Sequence, residues 1–193
     1  MGDNVVFKIL KSHLVEGQLE PGQQVTISVD QTLGHDLTAI MAGQTFLAVD
    51  ADKVQTEATV FYCDHNILCV SSENADDHVF LKTAAARFGA YFSKPGNGIC
   101  HFLHCQRFAK PGKVMLGADS HTPTSGALGM LAIGSGGLTV AKAALGEGFR
   151  LNTPKIMGVK LTGALRPGCT SKDIALDLLR QVSVKAVSYT HLR

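Results

Sequence analysis

The chain has 193 residues, of which 45% are hydrophobic and 18% are charged, and its formal net charge is +2. This composition is typical of a globular protein with a buried core, and it excludes a disordered or collagen-like chain. Acidic and basic residues are interspersed, so the sequence predicts neither a nucleic-acid partner nor a membrane partner. A small molecule is the expected ligand.

The N-terminal segment, residues 1–17, predicts a cytoplasmic protein. Its charges recur every few residues, so it lacks the apolar stretch of a secretory signal and the roughly 20 apolar residues of a membrane span. In such a protein an odd number of cysteines without close pairing predicts reduced thiols rather than disulfides. The five cysteines are Cys63, Cys69, Cys100, Cys105 and Cys169.

The hydrophobic pattern predicts strands that alternate with helices. Apolar residues three and four apart favour helices, whereas alternation and short apolar runs favour strands. Such an order is typical of an α/β fold with a mixed or parallel sheet flanked by helices. In chain order we predict a helix over 4–15, a strand over 25–29, a helix over 37–48, a strand over 58–63, a helix from about 74 to 88, a connection over 91–101, a strand over 113–117, a helix over 138–146, a strand over 156–161 and a helix over 171–182 capped by Ser171.

Polar segments follow three of these strands. His35 and Asp36 come after the first strand, Asp64 and His65 after the second, and the segment 119–121 after the third. Ligands of an α/β sheet collect at the carboxyl ends of its strands. We therefore expect the three segments to converge on one site.

The pair Asp64 and His65 places a carboxylate beside an imidazole. The acid can fix the tautomer of the ring, or the ring can transfer a proton. An adjacent Asp-His pair is also common on surface loops, so the pair alone does not establish a site.

The segment Asp119-Ser120-His121 has two interpretations. Neighbouring residues on an extended chain point to opposite sides, which disfavours a Ser-His-Asp relay. Instead, Ser120 and nearby backbone N–H groups suit a carboxylate ligand, while Asp119 and His121 orient a cation or a bound water. The alternative is a capping turn without a ligand.

Two further features resemble ligand sites but are better explained as parts of the core. His101 and His104 are flanked by Cys100 and Cys105, which resembles a zinc site, but a second pair of ligands with structural-zinc spacing is missing. Two buried thiols and one functional imidazole fit this segment better. The glycine-rich stretch 134–137 lacks dinucleotide-binding spacing and favours close helix packing.

Several segments together resemble the aconitase family in order and spacing, over most of residues 5–185. Among its members, the bacterial aconitate hydratases look most similar, with the large subunits of isopropylmalate and homoaconitate dehydratases as neighbours. The segments are VDQTLGHDLTAIMA at 29–42, CDH at 63–65, FSKPGNGICH at 92–101, LGADSHTPTSGALGMLAI at 116–133 and KIMGVKLTGALRPGCTSKD at 155–173.

The resemblance implies a [4Fe-4S]-dependent hydro-lyase of the tricarboxylic acid cycle, which isomerises citrate to isocitrate through cis-aconitate. The ligand would be a hydroxy-di- or tricarboxylate, and the family fold has three α/β domains around the cluster and a mobile further domain. By resemblance, the acid–base network around the substrate hydroxyl comprises Asp64, His65, His101 and Asp119. The substrate-binding residues would be His35, Asp119, Ser120 and His121.

The resemblance and the Thr153-Pro154 boundary together predict the domain organisation. Residues 1–153 would form the first aconitase-like domain, and 154–186 the truncated start of a second α/β domain. The tail 187–193 (VSYTHLR) departs from the family and is expected to be non-native. The C-terminal domains would be the missing partners of this chain.

Two departures from the family bear on function. His35 stands where aconitases carry a substrate-contacting glutamine, and isopropylmalate-type enzymes tend to have a histidine there. The family's three cluster-ligating cysteines lie far beyond residue 193, and none of the five cysteines here matches them. The isolated chain is therefore expected to be inactive, and a non-catalytic carboxylate-binding module or a zinc protein are the alternatives.

Overall fold

A computed structural model of the chain describes residues 4–183. Among them, no helix is both long enough and apolar enough to cross a membrane. The elements are α1 Val5–His13, β1 Leu14–Glu16, β2 Gln24–Ile27, β3 Gln31–His35, α2 Ala39–Ala48, β4 Ala58–Tyr62, α3 Ser72–Phe88, β5 Tyr91–Ser93, α4 Cys100–Arg107, β6 Val114–Gly117, a 3₁₀-helix Thr122–Leu128, β7 Leu131–Gly134, α5 Gly137–Ala144, β8 Phe149–Asn152 and α6 Ser171–Val182.

A five-stranded parallel sheet is the centre of the first compact unit, which comprises residues 4–17 and 25–151. Its strand order is β5-β4-β3-β6-β7, and all four pairings are parallel. Every residue of β3, β4 and β6 is buried, because a parallel sheet is covered on both faces. The prediction of an α/β fold with a parallel sheet flanked by helices is confirmed.

Two apolar clusters cover the faces of this sheet. On one face, Phe61 of β4 packs with Phe46 of α2 and Phe88 of α3. On the other face, Tyr62 of the same strand packs with Leu103 of α4. The alternation of side chains along β4 thus directs consecutive aromatic rings into the two halves of the core.

The amino edge of the sheet is held by Asp30, which precedes β3. Its carboxylate accepts the N–H of Val114 at 2.7 Å, binds the Lys113 ammonium at 3.0 Å and contacts His13 Nε2 at 2.7 Å. Partial burial raises the pKa of Asp30, but these three partners together lower it below its usual value. The two central strands, β3 and β6, are thereby tied together where they begin.

The structure corrects several predicted boundaries. The first strand ends at Ile27, and the residues leading to His35 form a separate strand, β3. Asp30 separates the two because its side chain bonds across to β6. The predicted helix over 4–15 ends at His13, and the connection over 91–101 contains β5 and the first turn of α4.

The second compact unit comprises residues 18–24 and the described residues from 152 onward. The predicted strand over 156–161 is wrong, because this segment has no regular structure and pairs with none of the strands within residues 4–183. The helix α6 is present, but its cap is Thr170 rather than Ser171. Asp173 accepts the Thr170 N–H at 2.7 Å, which completes a capping box. The predicted tail 187–193 lies outside the described residues.

Candidate active site

The polar segments that follow β3, β4 and β6 lie side by side at the carboxyl edge of the parallel sheet. These three strands are consecutive in the strand order. The side chains of His35, Asp36 and Asp119 are buried, whereas His65 is one-third exposed. The first turn of α4 adds His101, which is also buried. Imidazoles and carboxylates from four elements therefore meet at one edge.

Asp119 lies at the centre of this group. Its Oδ1 atom faces His65 Nε2 at 3.9 Å and His35 Nε2 at 4.0 Å. Its Oδ2 atom lies 3.4 Å from His101 Nδ1 and accepts the backbone N–H of His121 at 2.8 Å. One carboxylate thus contacts or faces ring nitrogens from three segments of the chain.

The rings of His35 and His65 are stacked, with centroids 3.7 Å apart and planes 13° from parallel. The Leu37 N–H donates to His35 Nδ1 at 3.3 Å, which leaves the proton of the neutral ring on Nε2, facing Asp119. Burial and repulsion from a charge on His65 lower the pKa of His35, while nearby carboxylates oppose that shift. His35 is therefore held neutral at ordinary pH.

Asp64 connects two of the segments. Its Oδ1 atom bonds His65 Nδ1 at 2.8 Å, and its Oδ2 atom accepts the backbone N–H of Cys100 at 2.6 Å. The second bond places a carboxylate at the start of α4, where the helix leaves N–H groups free. Asp64 therefore orients the His65 ring and also positions the turn that carries His101.

Asp36 and His78 join this edge through contacts that the residue types alone did not predict. The buried Asp36 carboxylate accepts the N–H groups of His65 at 3.0 Å and Asn66 at 2.7 Å, and it lies 3.3 Å from His78 Nε2. Burial alone would raise the pKa of Asp36, but these hydrogen bonds lower it below its usual value, so Asp36 is ionised. The position of Asp36 directly after a buried strand was a sequence signal for such contacts, because a carboxylate that becomes buried needs hydrogen-bond partners.

Ser120 and His121 lie on the exposed side of the site. The Ser120 hydroxyl contacts His121 Nδ1 at 3.2 Å, and Asp119 Oδ2 lies 4.0 Å from the same nitrogen. A Ser-His-Asp relay needs the two ring nitrogens to serve different partners, so this arrangement is not a relay. The hydroxyl and the ring remain available to a ligand from solvent.

His104 and Cys105 do not join His101 in a zinc site. His104 is fully buried and contacts the Tyr62 hydroxyl at 3.2 Å and the Gln31 amide oxygen at 3.0 Å, one with each ring nitrogen. The Cys105 thiol contacts the Ser125 hydroxyl at 3.4 Å. These side chains satisfy one another and belong to the core.

The cysteines of residues 4–183 do not form an iron–sulfur ligand set. Potential metal-ligating atoms gather in two groups, one of which has no cysteine and one of which has only Cys100. Burial raises the pKa of the Cys100 thiol well above its usual range and that of Cys63 to about 12, so both are protonated. A cluster requires several thiolates, which these residues do not supply together.

Imidazoles and carboxylates thus gather at the carboxyl edge of the parallel sheet of an α/β protein, the edge at which such proteins hold their ligands. The chain belongs to the aconitase family, because the model of the aconitase family (aconitate hydratase) matches residues 7–190. The family inferred from the sequence motifs is thus confirmed.

Curated relatives agree with this assignment. A probable mitochondrial aconitate hydratase of Dictyostelium discoideum is 35% identical, and a mitochondrial aconitate hydratase of Aspergillus fumigatus is 38% identical. A mitochondrial homocitrate dehydratase of Saccharomyces cerevisiae is 34% identical. Each match covers 92% of this chain but only 24–25% of the relative. The chain thus spans about a quarter of the length of these relatives.

The names of the relatives correct one prediction. Residues 1–17 predicted a cytoplasmic protein, but the relatives from Dictyostelium, Gracilaria, Aspergillus and Saccharomyces are named as mitochondrial. Charge spacing in residues 1–17 is therefore not a guide to the compartment, and the cytoplasmic prediction is wrong.

Proposed function

We propose that this chain is the acid–base segment of a hydro-lyase that dehydrates and rehydrates a hydroxy-tricarboxylic acid, converting citrate to isocitrate through cis-aconitate. The observation that carries the proposal is Asp119, whose two oxygens face three histidines at 3.4–4.0 Å. Family membership and the names of the relatives support the reaction class.

Loss and return of water from a hydroxy-acid need a group that gives a proton to the departing hydroxyl and takes it back. His101 and Asp119 lie 3.4 Å apart and suit this role, because imidazole and carboxyl groups both serve as general acids and bases. Asp64 holds the His65 ring so that Nε2 points toward Asp119. The gaps of 3.9–4.0 Å beside Asp119 Oδ1 are too long for direct hydrogen bonds, so this buried oxygen keeps acceptor capacity for a ligand hydroxyl.

Substrate carboxylates are the proposed ligands of the exposed groups. The Ser120 hydroxyl and the His121 ring lie on the solvent side of Asp119. Hydroxyl and imidazole N–H groups are suitable donors to a carboxylate. His35, stacked on His65, would contact the part of the substrate that differs between family members.

His35 also favours a second candidate substrate. A neutral imidazole in place of glutamine fits the isopropylmalate-type and homoaconitate-type dehydratases, and one relative is named homocitrate dehydratase. These substrates keep the hydroxyl and its neighbouring carboxylate but carry a different side arm. The acid–base residues would serve both reactions without change.

The cofactor of the complete protein is proposed to be a [4Fe-4S] cluster whose cysteine ligands lie outside these residues. The described cysteines do not gather into such a ligand set. The further α/β domains of the family are the proposed partners of this chain. The isolated chain is proposed to be inactive.

The test uses a protein that carries this segment together with the three quarters of the length found in the relatives. Conversion of citrate, cis-aconitate and isopropylmalate is measured for the parent, for Asp119→Asn and for the matched control Asp76→Asn, whose residue is exposed on α3. We expect Asp119→Asn to lower the rate by about 10²–10⁴-fold, as loss of a general acid–base group does. Equal rates in the two variants would overturn the proposal.

Calorimetry of the 193-residue chain with the same three acids measures whether the isolated chain binds a substrate at all. We expect no heat of binding at micromolar ligand, because the chain lacks the other half of the site. Micromolar binding without conversion would favour the carboxylate-binding module over the enzyme segment.

A further inference from the structure

Three side chains outside the group around Asp119 form a line from the surface into the protein. The Cys69 thiol lies 3.7 Å from His78 Nδ1, and His78 Nε2 lies 3.3 Å from the Asp36 carboxylate. Cys69 is exposed, His78 is mostly covered and the Asp36 side chain is fully buried. The order is therefore thiol, imidazole and carboxylate, with the thiol toward solvent.

The bond between His78 and Asp36 defines the state of the ring. Asp36 is ionised, because its two backbone N–H partners hold its pKa below the usual value despite burial. An ionised carboxylate accepts the Nε2 proton of His78, so Nδ1 of the neutral ring carries a free lone pair. That lone pair faces the Cys69 sulfur at 3.7 Å, the same distance at which the thiol can donate to the Asn66 carbonyl. This is the geometry of a general base beside a nucleophile.

The other cysteines lack this arrangement. Cys63 and Cys100 are buried and protonated, since burial raises the pKa of both thiols. Cys105 bonds to Ser125. Cys169 is exposed like Cys69, but no described histidine bonds to it. Cys69 alone among the described cysteines combines exposure with an imidazole that a carboxylate orients.

We propose that Cys69 is the nucleophile of a thiol-modification site that accepts small α,β-unsaturated carbonyl compounds. The sulfur forms a bond to the β-carbon of the acceptor, and the carbon–carbon π bond breaks. His78 Nδ1 takes the thiol proton as this bond forms and returns it to the α-carbon. The product is a thioether with no leaving group, and no oxidant or reductant is consumed. Asp36 stabilises the imidazolium formed on the way.

Modification at Cys69 would reach the edge of the active site through Asp36. An adduct on this sulfur, which lies 3.7 Å from His78 Nδ1, would displace the His78 ring. The same Asp36 carboxylate holds the backbone N–H groups of His65 and Asn66. Displacement of His78 would remove one partner of this carboxylate and loosen the loop that carries His65.

The test measures how fast each cysteine of the 193-residue chain reacts with N-ethylmaleimide at neutral pH, by mass spectrometry of the peptides at successive times. We expect Cys69 to react about 10-fold or more faster than Cys169. This factor is smaller than the rate increase of about 10²–10⁴-fold that a positioned general base can give. His78→Gln should remove that advantage, and the control Val79→Ala, at an exposed neighbouring position, should keep it.

Cys63 and Cys100 report folding within the same measurement. Both are buried, so their protection from the reagent shows that a variant is folded. Equal rates at Cys69 and Cys169 in the unaltered chain would overturn the proposal, whatever the fate of the variant. A folded His78→Gln variant with an undiminished Cys69 rate would also overturn it. The proposal is independent of the hydro-lyase activity, because neither rate requires turnover.

Discussion

The imidazole rings of His35 and His65 lie parallel at 3.7 Å, and both direct Nε2 toward the same oxygen of Asp119. Two charged rings at this separation would repel strongly. A charge on His65 therefore opposes a charge on His35, while Asp119 favours one. The pKa of His35 depends on the neighbouring ring and on this carboxylate.

This dependence predicts that the pKa of His35 shifts in opposite directions when Asp119 and His65 are replaced. The pKa of His35 is lowered by burial and by His65, and it is raised by Asp119 among other carboxylates. Asp119→Asn should therefore lower the pKa further, whereas His65→Gln should raise it. NMR titration of the His35 ring measures both. Shifts of the same sign in the two variants would show that the stacked pair is not coupled as described.

Asp64→Asn should destabilise the fold. The variant removes the charge that accepts the Cys100 N–H at 2.6 Å and bonds His65 at 2.8 Å. Hydrogen bonds to a charged group contribute about 1.5–3 kcal/mol each, so a loss of roughly 2 kcal/mol in the free energy of unfolding is expected. Urea unfolding measures it, with the exposed Asp76→Asn as the control. If both variants unfold at the parental midpoint, Asp64 does not hold α4.

Gly117→Ala should damage the turn that presents Asp119. A Cβ atom at this position would lie 2.1 Å from the Thr122 hydroxyl oxygen and 2.8 Å from its methyl carbon. Thr122 in turn donates to the Asp119 carbonyl at 2.7 Å. Overpacking of this kind costs about 1–3 kcal/mol. Gly126→Ala is the control, since its Cβ would have no neighbour within 4 Å, and thermal unfolding should separate the two variants.

His104 predicts a loss of stability in mild acid. Burial lowers its pKa from 6.5 to about 4. The unfolded chain therefore binds a proton that the folded chain does not as the pH falls from 6.5 toward 4. Stability is complete above pH 6.5 and falls through this window by about 3 kcal/mol, at 1.36 kcal/mol for each unit of pKa. Below pH 4 this residue contributes no further change.

The variant His104→Gln isolates this contribution. It removes the titrating ring, so the free energy of unfolding should vary less between pH 6.5 and 4 than in the parent chain. Urea unfolding at several pH values gives both profiles. Parallel profiles would assign the acid sensitivity to another group.

The sequence predicted the three polar segments and their common edge, because buried apolar runs identify β4 and β6 and parallel strands end on the same side. It did not predict β5 or β7, which have three and four residues and lie among prolines and glycines. It also placed a strand at 156–161, where apolar alternation is present but no described strand pairs with it. A strand requires a partner, and a local pattern cannot provide one.

The hydrogen-bond partners of the site residues could not be predicted from the local sequence either. Asp64 bonds a backbone N–H 36 positions away, and Asp36 bonds two that are 29 and 30 positions away. Such bonds depend on how the loops that follow the strands are arranged at the carboxyl edge of the sheet. The residue types in each loop were predicted from the sequence, whereas the assignment of Asp36 and His78 required the three-dimensional arrangement.

The strand order has a consequence for how a ligand reaches Asp119. From β3 the chain proceeds outward to β4 and β5, and from β6 it proceeds outward in the opposite direction to β7. The connections that leave β3 and β6 therefore run in opposite directions, and the return from β5 to β6 brings the first turn of α4, with His101, to the carboxyl edge beside Asp119. His35 ends β3 and Asp119 follows β6, on the two sides of this boundary. Because His35 Nε2 and Asp119 Oδ1 are only 4.0 Å apart, a ligand would approach the boundary from the solvent side, where Ser120 and His121 are exposed.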